Sequence, residues 1–518
     1  MTGHQNRLLL VLNKSSLPVA PLILSGILYS LSFPKSAIAL FSFIALVPFF
    51  YALDGAQKNY QRFLYGAIWA VVMAGVMGHW LFIALCEHYG LGWAKAGLFF
   101  LVCLVIPLVF LYGVFSLAYG FFKQDRWIFF AAVLPSLWVV AESLKALLPG
   151  LIPWGNIAYA VMPFADFIQV ADVTGIYGLT WIIVWVNSLF FLLIKDLRNT
   201  GRAGYRMAGA FFLLCFVFVA IIGYGRFRQS DIRALAEKGE KVDVTLVQGN
   251  FSLADRWSGM GFYRRVQTYL SMSRTEEGAD APRIIVWPET TLNASARLDA
   301  GFFKSLMQAI GPEALLISGG LKSAAEGGVY NSAYLISGKG RLQRYDKHIL
   351  LPYAETVPMI DWLGGFYTAP DEFVKGRTPL CFDTFVGKIA ASICFETLYP
   401  DYIRQSVKRG AEVLVNISND AWFGASAMPY MHLDAARMRA IENRRYVLRT
   451  SNSGISAIIE PNGRPEEQSG LFQQARINGT CRLFSQQTIY AKYGNWVLYA
   501  AAAVLLLACL RQIFNRKR

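Results

Sequence analysis

Charge is scarce in this chain. Asp, Glu, Lys and Arg make up 16% of 518 residues, against 55% hydrophobic residues. With a mean hydropathy of +0.38, that excludes an ordinary soluble protein of this length. Metal-binding patterns are missing as well. The five histidines form no HExxH and the seven cysteines no CxxC, so neither a metal nor another cofactor is expected. No internal repeat or low-complexity run occurs, which removes repeat architectures.

Long apolar runs are what the chain has instead. Windows of ~20 residues, enough to cross the hydrocarbon core, fit eight times. They lie near Leu17–Phe33, Ala37–Leu53, Leu64–Cys86, Ala96–Phe122, Trp127–Leu148, Ile176–Ile194, Met207–Gly225 and Trp496–Leu510. Lys and Arg concentrate in alternate loops, including Lys58 and Arg62, Lys123 and Arg126, Lys195 to Arg206, and the last residues Arg516, Lys517 and Arg518. That is the positive-inside distribution, and it predicts that both termini are cytoplasmic. It accounts for the net charge of +15 without invoking nucleic acid. Arg226, Arg228 and Arg233 run against the pattern, as a long translocated domain allows. The first run reads as an uncleaved helix rather than a signal peptide.

Three domains are therefore expected: residues 1–226 as a seven-span membrane domain, 227–495 as a polar domain on the outer side, and 496–518 as a final span with a basic cytoplasmic tail. Charges deep in the spans are few, which disfavours a transporter with a sensory outer domain. His79 is the main exception and reads as a packed histidine. Cys381, Cys394 and Cys481 fall in the outer block, so at least one thiol there stays unpaired within the chain.

The outer block alternates between two periodicities. Val242–Val247, Arg283–Trp287, Ala314–Ser318, Ser332–Ile336, Lys388–Ile393 and Glu412–Ile417 predict strands. Trp257–Arg274, Tyr399–Arg409 and His432–Asn443 predict helices, and Pro461-Asn-Gly a turn into a hairpin. Such alternation predicts layered α/β structure. Within it stand Trp287-Pro-Glu-Thr, Tyr345-Asp-Lys-His and Ser392-Ile-Cys-Phe-Glu. They offer Glu289, Lys347 and Cys394: a carboxylate, an ammonium and a thiol, which are the base, oxyanion partner and nucleophile of thiol-mediated acyl transfer. Taken singly, each has a plainer reading, as a capping glutamate, a solvated lysine and a buried cysteine. A free carboxylate is a weak base near neutrality, so the first role calls for a buried setting.

Glu142 and Lys145 sit three apart near the outer end of the fifth span. They are either a local ion pair or a contact for a lipid headgroup. The stretch from Pro153 to Gly178 lacks Lys and Arg. It reads as interfacial, with Trp154 anchored at headgroup level.

Further segments join the first three in a fixed order: Val247-Gln-Gly-Asn, Pro352-Tyr-Ala-Glu-Thr-Val-Pro, Asn416-Ile-Ser-Asn-Asp-Ala-Trp-Phe-Gly and Ala436-Arg-Met-Arg-Ala-Ile-Glu-Asn. Together they resemble the nitrilase superfamily of carbon–nitrogen hydrolases. With eight spans the resemblance narrows to the apolipoprotein N-acyltransferases of bacterial inner membranes, and it covers nearly the whole chain. It implies a periplasmic four-layer α-β-β-α sandwich beside a helical bundle. Glu289 would be the general base, Lys347 the oxyanion partner and Cys394 the nucleophile.

Glu355 matches the family's second acid, and Glu396 would support the cysteine turn. Many members have Tyr after the cysteine; Phe395 keeps the ring and loses the hydroxyl, which leaves an apolar contact with an acyl chain. Trp257 would line the acyl-chain wall, and Asn331 would hydrogen-bond near the site. The implied partners are a phospholipid acyl donor and a diacylglyceryl apolipoprotein acceptor, joined through a cysteine thioester. The competing reading is a membrane-tethered amidase acting on a soluble carbon–nitrogen substrate. Eight spans exceed what a tether needs.

Overall fold

A computed structural model describes residues 18–34, 38–87, 90–123, 126–148, 150–200, 205–252, 259–274, 282–292, 298–325, 327–356, 373–377 and 381–516. Apolar residues on its strands divide by parity, because successive side chains leave opposite faces of a sheet. Val244 and Leu246 of β1 (Lys241–Gln248) join one core, and so do Ile284 and Val286 of β2 (Arg283–Leu292). Leu315 and Ile317 of β3 (Ala314–Ser323) and Ala333 and Leu335 of β4 (Val329–Ser337) belong to it too. The opposite face, with Val247, Ile285, Trp287, Leu316 and Tyr334, joins a second core. Helices Gly259–Ser273 and Ala300–Ile310 close that second core through Phe262, Tyr269, Phe303 and Leu306.

Both faces being apolar forces a layer on each side. Sheet one runs β12-β1-β2-β3-β4-β5, with β5 at Leu342–Asp346 and β12 at Ala475–Arg482. Sheet two runs β11-β10-β9-β8-β7-β6. Its strands are β6 (Phe382–Thr384), β7 (Gly387–Ile393), β8 (Val413–Ser418), β9 (Tyr446–Ser451), β10 (Ala457–Ile459) and β11 (Pro465–Gln468). The central pairs β1–β2, β2–β3, β7–β8 and β8–β9 are parallel. β1 and β2 face β9, and β2 also faces β8; helices Pro400–Lys408 and Met428–Asn443 pack on sheet two. The expected α-β-β-α sandwich is present.

Among the described residues, four helices have the length and composition to cross a membrane: Trp93–Phe122, Phe167–Asn199, Ala208–Leu235 and Trp496–Asn515. Asn59–Met77 and His79–Glu87 make a fifth if counted as one span bent by 51°. Shorter apolar helices, Val19–Leu31, Ala39–Gly55 and Phe129–Leu144, lie on the remaining expected runs. His79 is not packed. It is exposed at the bend, and its Nδ1 lies 2.9 Å from the Val76 carbonyl freed there.

The helix Tyr205–Lys238 continues through residues 226 and 227, and β1 begins shortly after it. Two of the off-pattern arginines on it are paired: Arg228 with Asp172 at 2.8 Å, and Arg226 with Asp166 at 3.3 Å. The sandwich is fastened to the bundle by buried polar contacts. Arg444, held at a left-handed φ of 49°, meets Asp172 at 3.0 Å and donates to the Gln169 side chain at 2.6 Å. Ile176 N–H donates to Glu442 at 2.8 Å. The helix Met428–Asn443 thus packs between sheet two and the helix Ala171–Thr200.

Candidate active site

Glu289 lies near the end of β2, where the β2–β3 register shifts between Trp287 and Leu292. Thr290 next to it takes a φ of 54°. Such a bulge re-aims a side chain at a strand end. β3 can approach it only because residue 319 is glycine: a Cβ there would come within 2.5 Å of the Glu289 Cα. Lys347 comes directly after β5, its N–H donating to the Asn331 carbonyl on β4 at 2.8 Å. Cys394 comes directly after β7 and opens a single helical turn, Cys394–Leu398, with a φ of 53°. A non-glycine residue there is strained, and such strain concentrates at functional positions.

These three strand ends converge. Lys347 Nζ lies 2.7 Å from Glu355 Oε2 and 3.6 Å from Glu289 Oε1. Asn331 Nδ2 donates to both glutamates, at 2.8 Å each. Glu355 is fixed further by the Leu351 N–H at 2.9 Å. Burial disfavours the Lys347 charge, but Glu355 and Glu289 hold its pKa well above the usual lysine range. Burial pushes the Cys394 thiol up and Glu289 adds to this, while Lys347 opposes both. A resting thiol beside a carboxylate and a fixed ammonium is set for ionisation coupled to proton transfer.

Glu396 sits behind the turn, apart from Glu289 and Lys347. It accepts from Tyr345 O–H at 2.6 Å and from the N–H groups of Ile393, His348 and Ile349 at 2.8, 2.8 and 3.1 Å. Burial raises its pKa and these donors oppose the rise. The Phe395 ring stacks on His432 at 5.2 Å, meets Phe423 edge-on at 5.7 Å and faces Trp154 at 6.1 Å. Packing is all these ring contacts require, so the missing hydroxyl leaves no gap in them.

A cavity of about 230 Å³ opens from the three side chains toward the bundle. Glu289, Lys347 and Cys394 line one part, and Met77, Leu81, Leu104 and Leu108 of the apolar helices line another. Trp154 and Lys145 belong to its wall. The Trp154 ring packs on Trp80 at 5.8 Å within the cavity lining. Glu142 and Lys145 form a buried ion pair at 2.5 Å. Tyr29 and Trp138 both donate to Glu142 at 3.1 Å, and Lys145 donates to the Trp154 carbonyl at 2.9 Å. Trp257 lies outside the described residues. All seven cysteines are free, and no cluster of metal-binding side chains occurs among the described residues.

Sequence reasoning passed over a second polar group behind Cys394. His432, Asp420, Arg449 and Asn416 are fully buried around the Cys394 carbonyl. Asn416 and Asp420 stand in one of the segments that carried the resemblance, but residues 12 and 29 positions from Asp420 complete the group. Spacing alone gives no sign of it.

Two facing sheets with a strained cysteine turn on one and a glutamate and a lysine at strand ends of the other define a carbon–nitrogen hydrolase, and that family matches residues 221–482. Residues 25–189 match the apolipoprotein N-acyltransferase N-terminal domain. The chain is 30% identical over 502 residues to the apolipoprotein N-acyltransferase of Geobacter metallireducens, across 95% of each chain. It is 29% identical to that of Allorhizobium ampelinum across 94% of each. With that of Haemophilus influenzae it shares 26% identity, across 96% of this chain and 95% of the relative. Among solved structures it is similar to Saccharomyces cerevisiae Nit3, a member of the nitrilase superfamily, with a TM-score of 0.37 and 19% identity over 47% of this chain and 90% of that one. The chain belongs to the apolipoprotein N-acyltransferase family.

Proposed function

We propose that this protein transfers a fatty acyl chain from a phospholipid to the N-terminal amine of diacylglyceryl-cysteine in apolipoproteins, in two steps through a thioester on Cys394. One observation carries the reading: Glu289, Lys347 and Cys394 share a cavity with the apolar helices of the bundle. A soluble carbon–nitrogen substrate has no use for an apolar extension of that kind, whereas an acyl chain fills it.

In the first step Glu289 takes the Cys394 proton as sulfur attacks the lipid ester carbonyl. Lys347 stabilises the resulting oxyanion. The carbon–oxygen bond then breaks, and Glu289 returns the proton to the departing alkoxide, releasing lysophospholipid. In the second step the acceptor amine attacks the thioester and gives a proton to Glu289. Cys394 leaves as thiolate and is reprotonated, and an amide remains. One nucleophile serving two substrates in turn gives ping-pong kinetics.

Phe395 and Trp154 are the proposed wall for the acyl chain near the ester. Trp257 is proposed to extend that wall. Glu355 and Asn331 hold Lys347 and Glu289 in register, and Glu396 holds the turn. Lys145 and Glu142 are proposed to shape the lipid end of the cavity. Water must be kept from the thioester, or it would hydrolyse. The alternate-loop charge pattern supports a periplasmic catalytic domain on the inner membrane with both termini cytoplasmic.

The test is a two-stage single turnover. Purified protein is loaded with phospholipid, and the acyl mass on Cys394 is measured. A peptide with a free N-terminal diacylglyceryl cysteine is then added. Acyl loading followed by discharge to the free amine, with an N-blocked peptide inert, is the expected result. Equal discharge by the blocked peptide would favour the amidase reading. Orientation is read separately, by impermeant thiol labelling of cysteines introduced at Ser323 and Asn515. Only the first should react from outside.

A further inference from the structure

His432 stands between two acceptors. Its Nδ1 lies 3.0 Å from Asp420 Oδ1, and its Nε2 lies 3.1 Å from the Cys394 carbonyl oxygen. A neutral imidazole carries one N–H and one bare nitrogen, so it can satisfy only one of them; the other contact would set lone pair against lone pair. Asp420 cannot supply the missing proton. Burial disfavours its charge, but Arg449 and His432 together hold its carboxyl well below the usual range. Arg449 donates to its Oδ2 and Ser418 to its Oδ1, both at 2.7 Å.

We propose that His432 is a positioning residue that works as an imidazolium, donating from both nitrogens, so that it pins the Cys394 peptide in its left-handed turn and adds a positive charge that favours the Cys394 thiolate.

Three further observations bear on it. Asn416 Nδ2 also donates to the Cys394 carbonyl, at 3.3 Å, so that peptide is held from two sides. The Phe395 ring lies almost parallel to the imidazole at 5.2 Å, a placement that favours a cation over its face. Charge balance agrees as well. Glu289, Glu355, Glu396 and Asp420 gather about the cysteine turn, while among the described residues Lys347 pairs with the first two and Arg449 with Asp420. Burial and then the Arg449 guanidinium lower the imidazole pKa from its ordinary value, against the pull of the Asp420 carboxylate and the Cys394 carbonyl. Hydrogen-bond geometry weighs the other way, since only the doubly protonated ring makes both contacts hydrogen bonds.

This inference rests on Cys394 being the nucleophile, and its test is kept apart from acyl transfer. The full-length protein is treated with iodoacetamide across pH 5–10, and alkylation of the Cys394 peptide is followed by mass. His432→Gln retains a donor for the carbonyl and removes the charge. Its alkylation curve should move to higher pH, with a rate at pH 7 lower by on the order of tenfold. Superimposable curves would overturn the proposal. The second measurement uses wild-type protein labelled with ¹⁵N-histidine, with His432 assigned through single replacements of the other four histidines. Both His432 ring nitrogens should appear protonated at pH 7, and one bare nitrogen would sink the idea even if the variant did not fold. If Cys394→Ala kept normal transfer, the functional reading would fail while the alkylation result still stood.

Discussion

Two buried lysines open onto the same cavity, each against glutamate, and they are built for different ends. Lys145 meets a single carboxylate, Glu142, and spends a second donor on the Trp154 carbonyl. Charge there is balanced, and Tyr29 and Trp138 complete the carboxylate's shell. Lys347 lies between two carboxylates and within reach of a thiol. Negative charge is in excess there, and a proton passed from Cys394 to Glu289 would move that charge onto sulfur beside Lys347 while leaving its sum unchanged. A buried ion pair is thus not itself a catalytic feature. The unequal count of charges beside a strained cysteine is what separates the two places.

The comparison breaks most completely at sulfur. Cys394→Ala should abolish both transfer and acyl-enzyme while the protein stays folded, read by acyl mass and by turnover. Retained transfer would erase the distinction between the two lysines. Glu289→Gln keeps shape and removes the base, so thioester formation and aminolysis should both slow severely in single-turnover assays. A loss confined to one half-reaction would assign the second base elsewhere. Lys347→Ala removes the charge beside both oxyanions and should cost ~10²–10³ in rate.

Lys145→Met should behave differently. It leaves Glu142 buried without its cation, which typically destabilises by about 3–5 kcal/mol. Attack of amine on preformed thioester should change little. Adding Glu142→Gln should recover much of the stability, seen as a raised Tm in detergent. A slowed aminolysis step would mean that the bundle's pair belongs to the chemistry after all. The smallest expected change comes from Asn331→Ala, which loosens Glu289 and Glu355 without altering charge. It should cost roughly 1–3 kcal/mol of stability, as loss of a buried hydrogen-bond donor does, with a modest loss of rate. Intact activity and Tm would show that Lys347 and the Leu351 N–H hold the glutamates without Asn331.

Much of this arrangement is legible in the chain. The central strands show as β-branched or apolar runs, because both faces of both sheets are buried, and the chemistry stands at their ends. β5 is harder to read: Leu342-Gln-Arg-Tyr-Asp is an edge strand with one deeply buried residue, so its pattern is mostly polar. Its importance lies in carrying Lys347 at its C-terminal end. The pair Glu142 and Lys145 shows in the spacing, but whether it faces solvent, lipid or protein depends on Tyr29 and Trp138, which only packing brings near. The His432 group is less legible still. A histidine inside a helix and an arginine inside a strand look like ordinary core residues until folding sets them on either side of Asp420.

The helix Met428–Asn443 carries one more consequence. Nearly every residue in it is buried, with sheet two on one side and the helix Ala171–Thr200 on the other. Arg444 at its end takes its counterion, Asp172, and the Gln169 side chain from the bundle. Cut away near residue 226, the sandwich would expose an oily flank and leave an arginine without its counterion. The sandwich is therefore not a portable cassette. Recombination could carry it into a water-soluble setting only by rewriting that helix first.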